Sequence, residues 1–220
     1  MKRVFGDFET NGLYRKEKII EVPGGIKRIP GFTPSPESFA YIVTEGESLK
    51  IQEAGVLYFY NPAIIEHKLD AEEIHGLTET FLSQYKDDFT NNVRKLHKLF
   101  YRGNLVGHNF RGFDVNVGRD FLNKMEYDSN IPINKIEDTM YDTSKYFAKV
   151  YSQREGRQIN SKRLKLIDLC KELKVNDNLI KAIHKKVFGY EPEQLWHSAS
   201  WDTTATYLCY KIARSKGMLS

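Results

Sequence analysis

The segment KRVFGDFET near the start of the chain places two acidic residues, Asp7 and Glu9, two positions apart. Its apolar residues predict a buried strand over residues 2–8, on which both carboxylates leave one face while Phe8 points into the core. Two neighbouring carboxylates repel each other unless a proton or a cation lies between them, and Mg²⁺ and Mn²⁺ prefer oxygen ligands. The pair therefore indicates a divalent metal site, although the same spacing is also common at strand ends that have no catalytic role.

A third acidic residue, Asp114, follows the apolar segment NLVGHN, which predicts a short buried strand over residues 104–109. This position lies at the carboxyl end of the predicted sheet, where the sites of α/β proteins gather. It also lies near the start of a helix, where a carboxylate is favoured by the helix dipole and can act as a cap. His108 and Asn109 come from the same strand end and are candidates to orient substrate or ligands, with a structural role as the alternative for His108.

The segment WHSASWD near the end of the chain contains His197 and Asp202. If Ser198 or Ser200 caps a final helix over about residues 200–215, Asp202 lies in its first turns and faces the sheet, while His197 stays on the preceding loop. An aspartate fixed on a helix suits a metal ligand, and a histidine on a loop suits a base that takes a proton from water. Such a pair is uninformative alone, so its assignment depends on the other segments.

Together, the segments FGDFETNGL, EEIHGLT, LVGHNFRGFD and HSASWD resemble the motifs of the DEDDh-type 3′–5′ exonucleases, the group that includes the proofreading epsilon subunit of bacterial DNA polymerase III. The resemblance covers residues 4–214, and the segments occur in the order of the family. It implies an α/β, ribonuclease-H-like fold with a mixed five-stranded sheet flanked by helices. It further implies that His197 is the general base and that the metal ligands are Asp7, Glu9, Asp114 and Asp202.

For the reaction, the resemblance implies metal-dependent hydrolysis that releases nucleoside 5′-monophosphates from the 3′ ends of single-stranded DNA. Two divalent cations, Mg²⁺ or Mn²⁺, about 3.5–4 Å apart would activate water and stabilise the leaving 3′-oxygen. An exoribonuclease acting on short or structured RNA 3′ ends is an alternative, because nothing in the sequence separates ribose from deoxyribose. A catalytically silent nucleic-acid-binding module is another, although no metal carboxylate is missing. The resemblance also implies a DNA polymerase as a protein partner.

Further residues are expected to contact the substrate. The resemblance implies that Thr10 lies near the terminal 3′-hydroxyl and that Leu77 lies beside the terminal nucleotide, where an apolar side chain can wedge between unstacked bases. A helix end closed by Gly76 is the alternative for the latter segment. Phe113 either packs in the core or touches a base. The substrate-binding residues predicted from the motif segments are Thr10, Gly12, His75, Gly76, Leu77, Asn109 and Phe113.

Charge is unevenly distributed along the 220 residues, which carry a net charge of +4. Seven basic residues lie between positions 145 and 165 against one acid, and five lie in segment 14–36 against two acids. Basic stretches beside an acidic remainder suit an enzyme that holds metal with carboxylates and phosphate with lysine and arginine, although solvated loops show the same pattern. We predict that segment 14–36 forms an arm over the nucleic acid, whose backbone contacts Arg154, Arg157 and Lys162.

The order of secondary-structure elements indicates how these residues are positioned. Three strands that suit antiparallel pairing come first and an alternation of strand and helix follows, which is typical of a mixed sheet flanked by helices. Besides the elements named above, the pattern predicts strands over residues 38–43 and 54–62, and helices from about residue 70 and over residues 88–101, 113–125, 138–150 and 164–173.

We predict a single exonuclease domain over residues 1–220 with an insertion at about 14–36. The second strand of the family normally follows the first within about ten residues, and either residues 19–22 or residues 37–43 fill that place here. The spacing to the next strand favours residues 37–43. Within the insertion, residues 19–22 and 26–29 suit a hairpin across Pro-Gly-Gly.

The composition, 40% hydrophobic and 28% charged, excludes a disordered chain. The sequence has no apolar run of 18 residues and no signal-peptide core, so we expect a soluble, cytoplasmic protein without a membrane partner. Cys170 and Cys209 fall in apolar helical segments and are expected to be reduced core thiols.

Overall fold

A computed structural model gives the fold and describes residues 1–22, 25–192 and 195–219. The strands are β1 (Lys2–Thr10), β2 (Lys18–Val22), β3 (Gly25–Ile29), β4 (Pro36–Glu45), β5 (Lys50–Tyr58), β6 (Asn104–Gly107) and β7 (Ile136–Asp138). The helices are α1 (Leu69–His75), α2 (Glu79–Ser83), α3 (Phe89–Tyr101), α4 (Asp114–Lys124), α5 (Thr139–Asp142), α6 (Ser144–Glu155), α7 (Leu166–Leu173), α8 (Asp177–Phe188) and α9 (Ala199–Ser215).

Five of the strands form one mixed sheet in the order β5-β4-β1-β6-β7, so β1 lies at its centre. β1 is antiparallel to β4 and parallel to β6, β4 is antiparallel to β5, and β6 is parallel to β7. The mixed five-stranded sheet flanked by helices that the sequence predicts is therefore confirmed. A central strand is held on both sides, which makes β1 a rigid support for the side chains that it carries.

The side chains of β1 alternate between two apolar layers. Val4 and Phe8 pack in one layer with α3 and α4, whereas Phe5 packs in the other layer with α7, α8 and α9. Phe8 is thus a core residue, as predicted. Because successive side chains on a strand point to opposite faces, Asp7 and Glu9 leave β1 on the same face as Phe5, which is the face that α9 covers.

The segment between β1 and β4 lies outside the main sheet. β4 pairs with β1 from Lys2↔Glu45 to Thr10↔Pro36, so residues 37–43 lie in the strand beside β1. The expected hairpin is present as β2 and β3, a separate two-stranded sheet, although Pro23 and Gly24 lie outside the described residues. Arg15 and Phe32 close the base of this hairpin by exchanging two backbone hydrogen bonds of 3.0 and 2.7 Å.

One expectation about helices is wrong, and one helix was not predicted. Residues 138–150 do not form one helix, because Asp138 ends β7 and caps the short helix α5 by accepting a hydrogen bond from the backbone N–H of Met140, and α6 follows separately. Helix α8 has no predicted counterpart. Its sequence signals are Asn176, whose side chain accepts a hydrogen bond from the N–H of Leu179, and Gly189, which ends the helix with φ of 83°.

Cys170 and Cys209 are buried free thiols that bring α7 and α9 together, with their Sγ atoms 3.4 Å apart. Of the helices that the structure describes, none is both long and apolar enough to cross a membrane.

Candidate active site

Three carboxylates converge where α9 crosses β1. Asp7 and Glu9 come from the strand and Asp202 from the first turn of the helix, and one oxygen of each lies within 4.8 Å of the others. The helix is fixed on the sheet by apolar packing and by Thr203, whose hydroxyl donates a hydrogen bond to the carbonyl of Ala40 in β4 at 3.3 Å. The sequence prediction that Asp202 faces the sheet from a helix agrees with this geometry.

Asp114 joins this group from the opposite layer. It is the first residue of α4 and is buried, and its Oδ1 accepts a hydrogen bond of 3.0 Å from the backbone N–H of Phe8. This bond fixes the start of α4 between the two acidic residues of β1. Its carboxylate is near enough to raise the pKa of Asp7. All four predicted metal ligands are therefore brought together.

The pKa values of the four carboxyl groups are all raised, because the groups are buried close to one another. Burial, followed by repulsion from the neighbouring carboxylates, raises the pKa of Asp7 and that of Glu9 well above their ordinary values. Burial raises the pKa of Asp114 to about 8, although hydrogen bonds from backbone N–H groups oppose the rise. Burial also raises the pKa of Asp202 to about 7, opposed by a hydrogen bond from the backbone of His197. The cluster gains stability from a proton or a cation.

The donor set fits a divalent cation. Carboxylate oxygens are the ligands that hard cations such as Mg²⁺ and Mn²⁺ prefer. Within the described part of the chain, Oδ1 of Asp202 is buried and has no hydrogen-bond partner. A buried acceptor without a partner is costly, and a cation beside it would remove that cost.

His197 lies on the loop between α8 and α9, immediately before Ser198, which occupies the N-cap position of α9. Its side chain is exposed, and its backbone adopts the left-handed conformation with φ of 61°. The expected capping of α9 by a serine side chain is absent, because the hydroxyl of Ser198 instead lies 3.3 Å from that of Ser200. His197 therefore lies five residues before Asp202, on the loop that leads directly into α9.

A cleft of about 680 Å³ opens beside Glu9. One wall contains Leu77 and an aromatic group in which Tyr58 lies 5.0 Å from Phe81 and 4.5 Å from Tyr85, measured between ring centroids. The described residues of the opposite wall come from both ends of the α8–α9 loop and from the start of α9, and are Tyr190, Glu191, Pro192, Ser198, Ala199 and Ser200. The predicted residues His75, Gly76 and Leu77 thus line the same cleft as Glu9.

The segment that carries Leu77 is held by a buried acid that the sequence analysis does not single out. Helix α1 ends at Gly76 with φ of 74°, and the N–H of Leu77 donates a hydrogen bond of 3.0 Å to Nδ1 of His75. Nε2 of the same imidazole lies 2.8 Å from Oε2 of Glu37, a fully buried residue of β4. The other oxygen of Glu37 lies 2.6 Å from Nδ1 of His67. Glu37 of the sheet is therefore hydrogen-bonded to His67 and lies in contact with His75 at this wall of the cleft.

Thr10 and Gly12 lie just beyond the acidic pair of β1. The buried hydroxyl of Thr10 donates a hydrogen bond of 2.7 Å to the carbonyl of Gly12. Gly12 has φ of 143°, and a Cβ there would lie 3.0 Å from the ring of Phe32, so both the conformation and the contact favour glycine. Phe113 is partly buried, and its ring centroid lies 5.9 Å from that of Tyr14.

The loop that leads to Asp114 is organised by Asp138, whose role the sequence analysis also misses. The buried carboxylate accepts hydrogen bonds from the backbone N–H of Asn109 at 3.0 Å and of Arg111 at 2.8 Å. Asn109 has φ of 60°. His108 donates from Nδ1 to Thr139 at 2.8 Å, and burial lowers its pKa to about 4, which fits a structural histidine.

The three basic residues predicted to hold the nucleic-acid backbone lie at the end of α6 and in the following loop. Arg154 forms two hydrogen bonds with Glu172, of 2.7 and 3.0 Å, and Arg157 pairs with Glu155. Lys162 lies 4.6 Å from the ring centroid of Tyr151. The described residues that line the cleft beside Glu9 do not include these three. Arg154 and Arg157 are thus paired with acids of their own surroundings.

The fold is similar to that of exonuclease I. The exonuclease I of Methylocaldum szegediense matches with a TM-score of 0.63 and 19% identity over 98% of this chain and 40% of that chain. Escherichia coli exonuclease I in complex with a dT13 oligonucleotide matches with 0.59 and 20% identity over 97% of this chain and 41% of that chain. The zinc-bound complex of the E. coli enzyme with single-stranded DNA matches with 0.60 and 21% identity over 98% of this chain and 40% of that chain.

At these identities the similarity establishes only that the chain shares its fold with exonuclease I. The chain spans about two fifths of the length of these exonuclease I chains. No protein-family model matches the sequence, and no curated protein matches it either.

Proposed function

We propose that the chain is a metal-dependent 3′–5′ exonuclease that releases nucleoside 5′-monophosphates from single-stranded DNA. The observation that carries this proposal is the convergence of Asp7, Glu9, Asp114 and Asp202 beside an aromatic cleft in this fold. Carboxylates gathered on a rigid strand and two helices are the arrangement that phosphodiester hydrolysis with divalent cations requires.

The four carboxylates would hold Mg²⁺ or Mn²⁺, with Asp202 Oδ1 as the oxygen most in need of a ligand. Two such cations would stabilise the charge that develops on the scissile phosphate and lower the pKa of the attacking water. Asp7 is the proposed shared ligand, because its carboxylate interacts with each of the other three. The zinc-bound complex of E. coli exonuclease I supports the use of divalent metal by this fold.

His197 is the proposed general base. Its side chain is exposed on the loop that leads directly into α9, five residues before Asp202, and an imidazole at this position is a candidate to take a proton from water beside the metal ligands. General bases of this kind typically contribute about 10²–10⁴-fold to the rate. Taking a proton from water also requires that the imidazole lie within hydrogen-bond reach of that water, so the conformation of the loop matters.

The cleft beside Glu9 is the proposed site of the terminal nucleotides. Base stacking on aromatic rings depends little on sequence, and Tyr58, Phe81 and Tyr85 offer such rings. Leu77 is placed to separate two bases. Thr10 is the proposed neighbour of the terminal 3′-hydroxyl. The oligonucleotide complexes of E. coli exonuclease I support single-stranded DNA as the substrate class.

The test uses a 5′-labelled single-stranded DNA and an RNA of the same sequence, with Mg²⁺ or Mn²⁺ or with a chelator. We expect a ladder that shortens from the 3′ end, requires metal and decreases about 10²–10⁴-fold in the His197→Ala variant. Faster degradation of the RNA than of the DNA would indicate that the chain is an exoribonuclease. Tight binding of intact DNA in the presence of metal would reject the enzymatic function and favour a silent binding module.

A further inference from the structure

The loop from Gly189 to Ser198 carries His197, and both of its ends contact one buried side chain. His184, on α8, is fully buried. Its Nδ1 lies 3.0 Å from the carbonyl oxygen of Tyr190, at the start of the loop, and its Nε2 lies 2.9 Å from the hydroxyl of Ser200, just after the loop. One imidazole therefore joins two segments of chain on either side of His197.

The hydrogen bonds fix the tautomer of His184. A carbonyl oxygen only accepts, so Nδ1 carries the proton and donates to Tyr190, and Nε2 accepts from the hydroxyl of Ser200. The hydroxyl oxygen of Ser200 lies 3.3 Å from the hydroxyls of Tyr190 and Ser198, from which it can accept. The network therefore runs from the buried helix to Tyr190, Ser198 and Ser200, which line one wall of the cleft.

Aromatic neighbours hold the ring of His184, whereas apolar packing holds helix α8 as a whole. Ile180, one turn before His184, is fully buried in the apolar layer that includes α9. The ring of His184 stacks on Phe188 at 4.8 Å and lies 6.3 Å from Trp201 of α9, measured between centroids. Lys181 and Lys185 also reach the loop by pairing with Glu191, but these pairs are exposed and contribute little.

The loop needs such support because His197 has φ of 61°, a conformation that L-amino acids adopt only when surrounding contacts offset its cost. We propose that His184 is a positioning residue that holds the α8–α9 loop in the conformation that presents His197 to the attacking water. This inference rests on the proposed function, in which His197 is the general base. The imidazole of His184 acts through the loop and does not touch the reacting atoms.

The first test compares two substitutions on the same helix. His184→Leu removes both hydrogen bonds, and we expect kcat to fall about 10- to 100-fold, since small displacements of a catalytic group cost rates of that order, with a smaller change in KM. Ile180→Ala is the matched control, because it weakens the packing of α8 without touching the loop. We expect it to lower the melting temperature but to leave the kcat of folded enzyme unchanged. An equal loss of kcat in both variants would overturn the proposal.

A double-mutant cycle tests whether His184 acts through His197. If it does, His184→Leu should cost less than about twofold when His197 is already alanine, because effects of residues that act as a unit are not additive. The full 10- to 100-fold loss in that background would overturn the positioning role. His184→Asn should retain part of kcat, because its amide can still donate to the Tyr190 carbonyl. If the leucine variant does not fold, His184→Asn replaces it in both tests.

Hydrogen exchange gives a readout that does not depend on activity. We expect His184→Leu or His184→Asn to speed amide exchange in residues 189–200 at least about tenfold, with little change elsewhere in α8 and α9. Exchange rates equal to those of the unmodified chain would overturn the proposal. If the unmodified chain fails to degrade DNA, the proposed function falls, whereas the exchange measurement still decides whether His184 holds the loop.

Discussion

Asp114 and Asp202 are the residues whose protonation changes near neutral pH, because burial raises the pKa of Asp114 to about 8 and that of Asp202 to about 7. An acid with a higher pKa in the folded state than in the unfolded state keeps its proton longer when folded. The stability that this proton contributes is complete below the unfolded pKa, near 3.8, and is lost as the pH rises through about 7 and 8.

We therefore expect the melting temperature in chelator to fall as the pH rises from about 5 to 8, and expect Mg²⁺ or Mn²⁺ to reduce this fall by replacing the protons. Asp202→Asn should melt higher than the unmodified chain at pH 8 in chelator, by about 2–4 °C for each kcal/mol of repulsion removed. The same substitution should lose the stabilisation by metal. Thermal unfolding across pH measures all three effects.

Asp87→Asn is the control for this experiment, because Asp87 is exposed in the segment before α3, away from the carboxylate cluster. It should retain both the pH dependence and the response to metal. Equal pH dependence in the unmodified chain and in Asp202→Asn would contradict the electrostatic account of the cluster.

At the scale of elements, Glu37 couples the sheet to the wall of the cleft. Its two oxygens contact His67 and His75, and His75 in turn accepts the hydrogen bond from the N–H of Leu77. Burial lowers the pKa of His67, but its hydrogen bonds with Glu72 and Glu37 outweigh that effect and leave the pKa raised. A substitution at Glu37 in β4 should therefore change the binding of substrate.

Glu37→Gln is expected to lower the free energy of unfolding by about 1–3 kcal/mol, because a buried donor of one histidine loses its acceptor. It should also raise KM more than it lowers kcat, since it loosens the segment with Leu77 and leaves the carboxylate cluster in place. Glu72→Gln is the matched control, because Glu72 contacts His67 from a more exposed position. Kinetics and chemical denaturation on both variants test this, and indistinguishable effects would contradict the role given to Glu37.

The end of α6 and the loop after it form the second element with a predicted role. If Arg154, Arg157 and Lys162 contact phosphates, replacing all three should reduce the slope of log binding constant against log salt by up to about 2. Each phosphate contact on a single strand contributes roughly 0.7 to this slope. Binding of a labelled oligonucleotide at several salt concentrations measures the slope. A triple replacement of Arg94, Lys98 and Arg102 is the control, since α3 packs on the opposite face of the sheet. An unchanged slope would show that Arg154, Arg157 and Lys162 do not contact the phosphates of the substrate.

At the scale of the whole molecule, what the sequence predicts depends on how local the signal is. The central strand, Asp7, Glu9, Asp114 and Asp202 follow from short apolar segments, each of which fixes the face of one element. The roles of Glu37 and His184 cannot be predicted from short segments, because their partners lie far away in sequence or across a loop. Helix α8 has a capping asparagine, a terminal glycine and apolar residues at helical spacing, so it could have been predicted from local signals. The missed residues are those that position the site.

The hairpin of β2 and β3 tests whether the inserted segment belongs to the substrate path. β4 pairs with β1 without it, and the Arg15–Phe32 pair closes its base, so replacing residues 18–29 with a short glycine-serine linker should leave the melting temperature within about 2 °C. We expect weaker binding of long single-stranded DNA and a smaller salt slope, because basic residues are lost, whereas kcat at saturating substrate should not change. A dinucleotide or trinucleotide substrate is the internal control, since it is too short to reach an arm and should be degraded equally by both proteins. Unchanged affinity for long DNA would show that the hairpin is not an arm over the nucleic acid.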